Sequence, residues 1–249
     1  MKASIDWFDL RLVIYSGSVV AVITCYKSVR TNAKWKFMTT PEHTLVGIHV
    51  AFAFGAHRFL GWTAVAMAGL ASNVPDWDGL PMLLDMQRFE AGHRVWGHNV
   101  LAIILSSLIL GWTQIRYSWI EKIGVYLATK ISALKNDTPT SETRQYRSIV
   151  TFTAIAMIAQ ALHLPCDMVV SGGKGLSDWP VQPFWPFSHA GFVYPMIPWG
   201  DVGPTVILMT GIIITAKRPA YISIVSFVTL IALCAYLVAR AWVGGFLFA

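Results

Sequence analysis

Two apolar runs, Ile149–Val170 and Tyr221–Ala249, constrain this chain more than any other feature, because each exceeds the roughly 20 apolar residues a helix needs to cross a bilayer. Shorter apolar stretches stand at Arg11–Tyr26, Thr44–Val74, Asn99–Ile115 and Val202–Ala216. With 249 residues, 55% hydrophobic and only 13% charged, and a mean hydropathy of +0.54, the chain is too apolar for an ordinary soluble domain and too short for two large ones. The expectation is an all-α, polytopic helical membrane protein.

The opening Met1–Lys27 reads as a retained anchor and not a secretory signal, because Asp6 and Asp9 interrupt the basic leader and Ile23-Thr24-Cys25 is a poor cleavage site. The three cysteines, Cys25, Cys166 and Cys234, lie in or at the ends of apolar segments and cannot all pair internally, so neither a disulfide framework nor a zinc ribbon follows. The net charge of +6 sits in links between apolar runs: Lys27, Arg30, Lys34 and Lys36 in the first, Arg116, Lys122, Lys130, Lys135, Arg144 and Arg147 in the central one, Lys217 and Arg218 in a third. No dense basic cluster threaded with aromatics is present, which excludes a nucleic-acid partner. The positive-inside rule would put all three links in the cytoplasm.

That preference conflicts with bringing His43 and Asp76 together. A single crossing over Thr44–Val74 would leave them on opposite faces, whereas a hairpin broken at Gly55-Ala56-His57-Arg58 returns both ends to one side. The hairpin is the choice compatible with a shared site. Asn99–Ile115 then leaves that side and Ile149–Val170 returns to it, with the central basic link across the membrane. Ser132–Arg147 is a solvated linker. Between Ser171 and Pro204, Gly172, Gly173, Gly175 and the prolines at 180, 183, 186, 195 and 198 forbid a long helix, and Trp179, Trp185 and Trp199 suit an interfacial loop. No internal repeat or low-complexity tract is visible.

Ionisable residues cluster at the ends of the apolar stretches, where burial is costly unless they pair, coordinate metal or line a watery cavity. In His163-Leu164-Pro165-Cys166-Asp167 the imidazole and carboxylate are four apart and share a helix face, so both can bind one metal or the carboxylate can orient the ring. A buried His–Asp hydrogen bond without metal is the plainer alternative. Pro75-Asp76-Trp77-Asp78 offers two carboxylates that point the same way if the backbone is extended, or an Asp-rich turn. His93-Arg94-Val95-Trp96-Gly97-His98-Asn99 sets two histidines and an arginine fork ahead of an apolar run, suited to oxyanion binding or to interfacial snorkelling. His49 and His57 have no acidic neighbour and read as packing or turn residues; His189 carries no clear signal.

Together these pieces resemble the YdjM-like family of inner-membrane metal-dependent hydrolases: His43 with Gly47, Pro75-Asp76-Trp77-Asp78, His93-Arg94 followed by His98-Asn99, His163 with Asp167, and Trp185-Pro186-Phe187-Ser188. The match runs from about Met38 to Ser188, and the joint occurrence is more specific than any single motif. Gly97 and Asn99 stand where Thr and Ser are usual. The order of ligands is also similar to the zinc-dependent phospholipase C and P1-nuclease group, although this chain lacks that group's further C-terminal His and Glu.

The chain is expected to divide into an N-terminal membrane anchor and basic link over residues 1–37, a metal-dependent hydrolase-like membrane core over 38–201 and C-terminal transmembrane helices over 202–249, and the resemblance implies the bacterial inner membrane. It implies that His43, Asp76, Asp78, His98, His163 and Asp167 hold one to three divalent ions, zinc first and manganese second. Asp78, His93 and Arg94 are the expected catalytic groups, with Arg94 steadying substrate oxygens and His93 assisting proton transfer or orienting a ligand. A site at the membrane interface favours a lipid or lipid-linked phosphate, cleaved by metal-activated water. The rivals are an ion- or proton-coupled transporter and a non-catalytic adaptor with a structural metal site. No nucleophile elbow, phosphate-cradling glycine loop or dinucleotide fingerprint supports another enzyme class.

Overall fold

The computed structural model describes residues 40–83, 92–130, 148–170, 179–198 and 200–244. The Arg11–Tyr26 anchor, Cys25, the Ser132–Arg147 linker and Trp199 lie outside them. Among the described residues there are eight α-helices and no strand. They are α1 (Thr40–Ala53), α2 (Ala56–Phe59), α3 (Trp62–Ala71), α4 (Val100–Tyr117), α5 (Trp119–Lys130), α6 (Ile149–Val169), α7 (Gly203–Lys217) and α8 (Ile222–Gly244). A 3-10 segment, Val74–Leu83, follows α3, and a second, Pro219–Tyr221, precedes α8.

Thr44–Val74 forms the hairpin. Gly55 and Gly61 take φ values of 73° and 80°, a region that residues with a Cβ rarely enter, and they bracket the four-residue α2 at the tip. At 1.5 Å per residue, α1 and α3 are about 21 and 15 Å long, short of the roughly 30 Å hydrocarbon core. Neither arm crosses the membrane. The arms approach closely because Gly47 lacks a side chain: a Cβ there would meet Ser72 Oγ and, at 2.6 Å, the Ala68 carbonyl.

Among the described residues, three helical stretches are long and apolar enough to span: Val100–Tyr117, Ile149–Val169 and Pro219–Gly244. α4 is capped by Asn99, whose side chain accepts from Ala102 N–H at 2.8 Å, and α6 by Ser148, which accepts from Thr151 N–H at 3.0 Å. The two helices lie antiparallel. Gly111 fits against Thr153, and Gln160 of α6 accepts from Ser106 Oγ at 2.7 Å and donates to Ser107 Oγ at 2.9 Å. Such polar pairs between apolar helices satisfy groups that lipid cannot. The core lies where α1, α3 and α6 meet, at Ile48, Phe52, Val65, Met67, Phe152 and Ala156. α7 and α8 pack on the other side of α1 through Leu45, Leu208 and Leu233.

The consequence for function is a shared end. α1, α4 and α7 start there; α3, α6 and α8 finish there. Thr205 at the start of α7 donates to Glu42 in the first turn of α1, while Asp201 accepts from Tyr236 Oη at 2.6 Å and from Arg240 Nε at 3.1 Å near the end of α8. Arg58, Arg116, Lys122, Lys217 and Arg218 belong to the opposite end.

Candidate metal centre

α6 supplies the centre of the site. His163 and Asp167, one helical turn apart, face inward and are buried. His163 Nδ1 lies 2.6 Å from the Ser72 carbonyl at the end of α3. A carbonyl only accepts, so Nδ1 carries the proton and Nε2 is left with its lone pair toward the site. His98, just ahead of α4, is fixed in the same sense: Nδ1 is 2.8 Å from Asp78 Oδ2, so Nε2 faces inward.

The two Nε2 atoms then stand 3.0 Å apart. Asp167 Oδ2 is 3.0 Å from His98 Nε2 and 3.6 Å from His163 Nε2. Asp76 Oδ1 completes the group at 3.3 Å from His163 Nε2 and 3.7 Å from His98 Nε2. One ligand atom from each of Asp76, His98, His163 and Asp167 falls within 4.8 Å of all the others, and this group could hold a metal ion.

The remaining expected residues surround that group. His43 on α1 stacks on the His163 ring at a centroid distance of 3.8 Å, and its Nε2 is 3.2 Å from Asp167 Oδ1. Asp78 stands outside the four-residue cluster. Its carboxylate accepts from Gly97 N–H at 3.0 Å and also faces Nδ1 of His93 at 3.1 Å and of His98 at 2.8 Å. The extended backbone that would aim both aspartates one way is replaced by a 3-10 turn. With three residues per turn, residues two apart diverge, so Asp76 faces the cluster and Asp78 the backs of two imidazoles.

Arg94, expected beside substrate oxygens, is 1% exposed and engages protein oxygens instead. Nη1 donates to the carbonyls of Asp167 and Trp179, both at 3.0 Å, Nη2 donates to Val170 at 3.3 Å, and Nε lies 3.1 Å from Asp167 Oδ2. Its φ of 63° is unusual for a residue with a side chain, and this network holds it there. Gln182 N–H donates to the Arg94 carbonyl and Val100 N–H to the Pro183 carbonyl, so the irregular segment 179–198 is tied against the site.

Burial opposes ionisation of Asp78, but hydrogen bonds from His93 and His98 outweigh it and hold the carboxyl at about 2. Asp76 is likewise held low, burial being outweighed by His163. Burial favours the neutral form of His98, yet Asp167 and Asp78 raise it above the ordinary histidine value. The cluster therefore attracts positive charge. Ser72, whose carbonyl sets the His163 tautomer, was not evident from the sequence, because a main-chain acceptor has no residue-type signature.

His49 donates from Nε2 to the Leu208 carbonyl at 3.0 Å, and His57 meets Phe52 edge-on at 5.5 Å; both serve packing. His189 is exposed on the segment 179–198. Cys166 and Cys234 are free thiols.

No curated protein and no solved structure matches this chain. A family model does, that of the YdjM inner membrane protein, over residues 38–243, a span that takes in α1 to α7 and all but the last residue of α8. With three helices among the described residues able to cross a membrane and a His/Asp cluster able to hold a metal at one end of the bundle, the chain belongs to the YdjM inner membrane protein family.

Proposed function

We propose that this protein is a membrane-embedded metal-dependent hydrolase that cleaves a phosphoester of a lipid or lipid-linked substrate. The observation that carries the reading is the convergence of two imidazole Nε2 atoms and two carboxylate oxygens within 4.8 Å of one another, each ring keeping its Nδ1 on an acceptor. In the neutral tautomers two imidazole lone pairs and two carboxylates repel one another, and positive charge among them, whether protons on Nε2 or a metal ion in their place, relieves it. The separations of 3.0 to 3.7 Å along five of the six edges suit a metal ion. Ligands bonded to zinc at about 2.0–2.2 Å in a tetrahedron stand roughly 3.3 Å apart. Mixed nitrogen and oxygen donors favour zinc, with manganese second.

When bound, such an ion supplies Lewis-acid chemistry, lowering the pKa of a water and neutralising charge on a phosphoryl oxygen. In this reading Asp76, His98, His163 and Asp167 hold the ion, and His43 fixes the far oxygen of Asp167. His93, oriented by Asp78, moves a proton: water adds its oxygen to phosphorus, the P–O bond to the alcohol breaks, and the leaving oxygen takes up a proton. Arg94 acts on the substrate only through Asp167, which it orients.

A transporter would carry its ligand site near mid-bilayer on interrupted helices. This cluster sits at helix ends. The deciding experiment is elemental analysis of the detergent-purified protein beside His98→Ala and Asp167→Ala, followed by a phosphoester hydrolysis screen. Stoichiometric zinc or manganese lost in both variants, together with hydrolysis by the loaded wild type, supports the reading. A folded wild type that takes up no metal, or a loaded one that cleaves no phosphoester, removes it.

A further inference from the structure

The ion cluster is open on one flank. Of its four members, Asp76 alone has an appreciably exposed side chain, at 28%, against 4% or less for His98, His163 and Asp167. Beside Asp76 stands Trp77, 48% exposed, and in the same 3-10 segment Leu80 is 61% exposed. The Trp77 indole packs next to Gly97: a Cβ on that glycine would come within 2.9 Å of Trp77 Nε1. Gly97 follows Trp96, itself 38% exposed, and the chain enters α4 at Val100. Val100, Ile104 and Leu105 continue the exposed apolar face along the spanning helix. Among the described residues, the acidic groups adjoining this strip are Asp76 at its open end and Asp78, which is fully buried.

Exposed apolar surface on a spanning helix faces acyl chains, and indoles favour the headgroup level. The strip is therefore continuous with the bilayer-facing flank of α4 and ends at the exposed carboxylate of the metal cluster. A water-soluble phosphate would leave Trp77, Leu80 and Trp96 uncovered. We propose that this strip docks the acyl chain of a membrane-resident amphiphile, which slides along α4 and over Trp96 and Trp77 and delivers its polar head to Asp76. The proposal rests on the hydrolase reading for what happens to that head, but the docking surface is tested without turnover.

The test uses the full chain with Cys25, Cys166 and Cys234 replaced by Ser. Single cysteines Trp77→Cys, Leu80→Cys and Leu105→Cys are labelled with bimane, and each protein is reconstituted in phosphatidylcholine vesicles. Quenching by a phosphatidylcholine carrying a shallow doxyl group is compared with quenching by aqueous iodide. The expected result is doxyl quenching at 77 and 80 within about twofold of that at 105, with iodide ineffective. Iodide quenching without doxyl quenching would place the strip in water and overturn the proposal. Protection from both quenchers would show it covered by a second copy or by another part of the chain, and would overturn it equally. If Trp77→Cys fails to fold, Leu80→Cys alone decides, because its exposed side chain packs on little. Doxyl quenching alongside an absence of hydrolysis would leave the surface standing and remove the hydrolase reading.

Discussion

His98 and His163 present their Nε2 atoms to each other at 3.0 Å, each ring locked from behind by an acceptor on Nδ1, Asp78 for one and the Ser72 carbonyl for the other. Neither ring can turn its proton toward the other without abandoning a buried acceptor. A cation bound between them should stabilise the fold by mass action, by about 2.7 kcal/mol at a hundredfold excess over Kd. Chelator treatment is expected to lower the melting temperature of the detergent-purified protein by several degrees, and added zinc to restore it. Identical melting curves with and without chelator, in protein shown to have contained metal, would contradict this.

Asp78 touches the imidazoles and not the ligand cluster, so its loss should weaken metal binding without abolishing it. Partners of this kind are worth 10- to 100-fold in affinity. Asp78→Asn is expected to raise the metal Kd by that factor in competition with a chromophoric chelator, whereas Asp167→Ala should remove binding altogether. Equal loss in both would make Asp78 a direct ligand.

The same carboxylate predicts an acid limit. Its value of about 2 lies below the usual 3.8, so it contributes stability that is fully present above pH 4 and is lost as pH falls toward 2. The shift corresponds to about 2 kcal/mol. Unfolding midpoints of metal-free protein between pH 5 and 2 should fall, and Asp78→Asn should flatten that slope.

Arg94 is a clamp on four oxygens of the site's own backbone and side chains. Lysine cannot reproduce the fork. Arg94→Lys should destabilise the protein, and Arg94→Ala should do so by about 3–5 kcal/mol because it leaves buried Asp167 short of a partner. A variant with native melting behaviour and a selective rise in KM would instead return the guanidinium to the substrate.

Gly47 and Gly124 make a paired test of packing. A Cβ at Gly47 strikes the opposite arm of the hairpin, while one at Gly124 on α5 meets nothing within 4 Å. Gly47→Val is expected to destabilise by at least the 1–3 kcal/mol typical of overpacking, and Gly124→Ala to be neutral or stabilising by up to about 1 kcal/mol. Comparable losses at both positions would mean that the arms are not held at this distance.

Much of this architecture is legible in the residues. The spacing of His163 and Asp167 defines one helix face, and Gly55 opens the break in the hairpin, whereas the turn at Gly61 and the caps at Asn99 and Ser148 emerge only in the structure. What the residues do not carry is the division of labour between Asp76 and Asp78. Two aspartates at alternate positions look equivalent until the backbone chooses three residues per turn, and the partners of Asp78 lie 15 to 20 residues away. The role of Arg94 was hidden for a related reason: an arginine fork suits a phosphate and a ring of main-chain carbonyls equally, and carbonyls of residues 167, 170 and 179 leave no trace in the residue types.

The short hairpin also fixes an order of assembly during synthesis. α1 and α3 leave the ribosome before every helix that buries them, since α3 rests on α6, and α1 on α7 and α8. Until residues 222–244 have been made, α1 lacks the helix that covers one of its sides. The nascent chain must therefore hold two half-length helices in waiting while the helices that bury them are threaded into the membrane, and Leu45 of α1 gains its neighbour Leu233 only when α8 closes beside it.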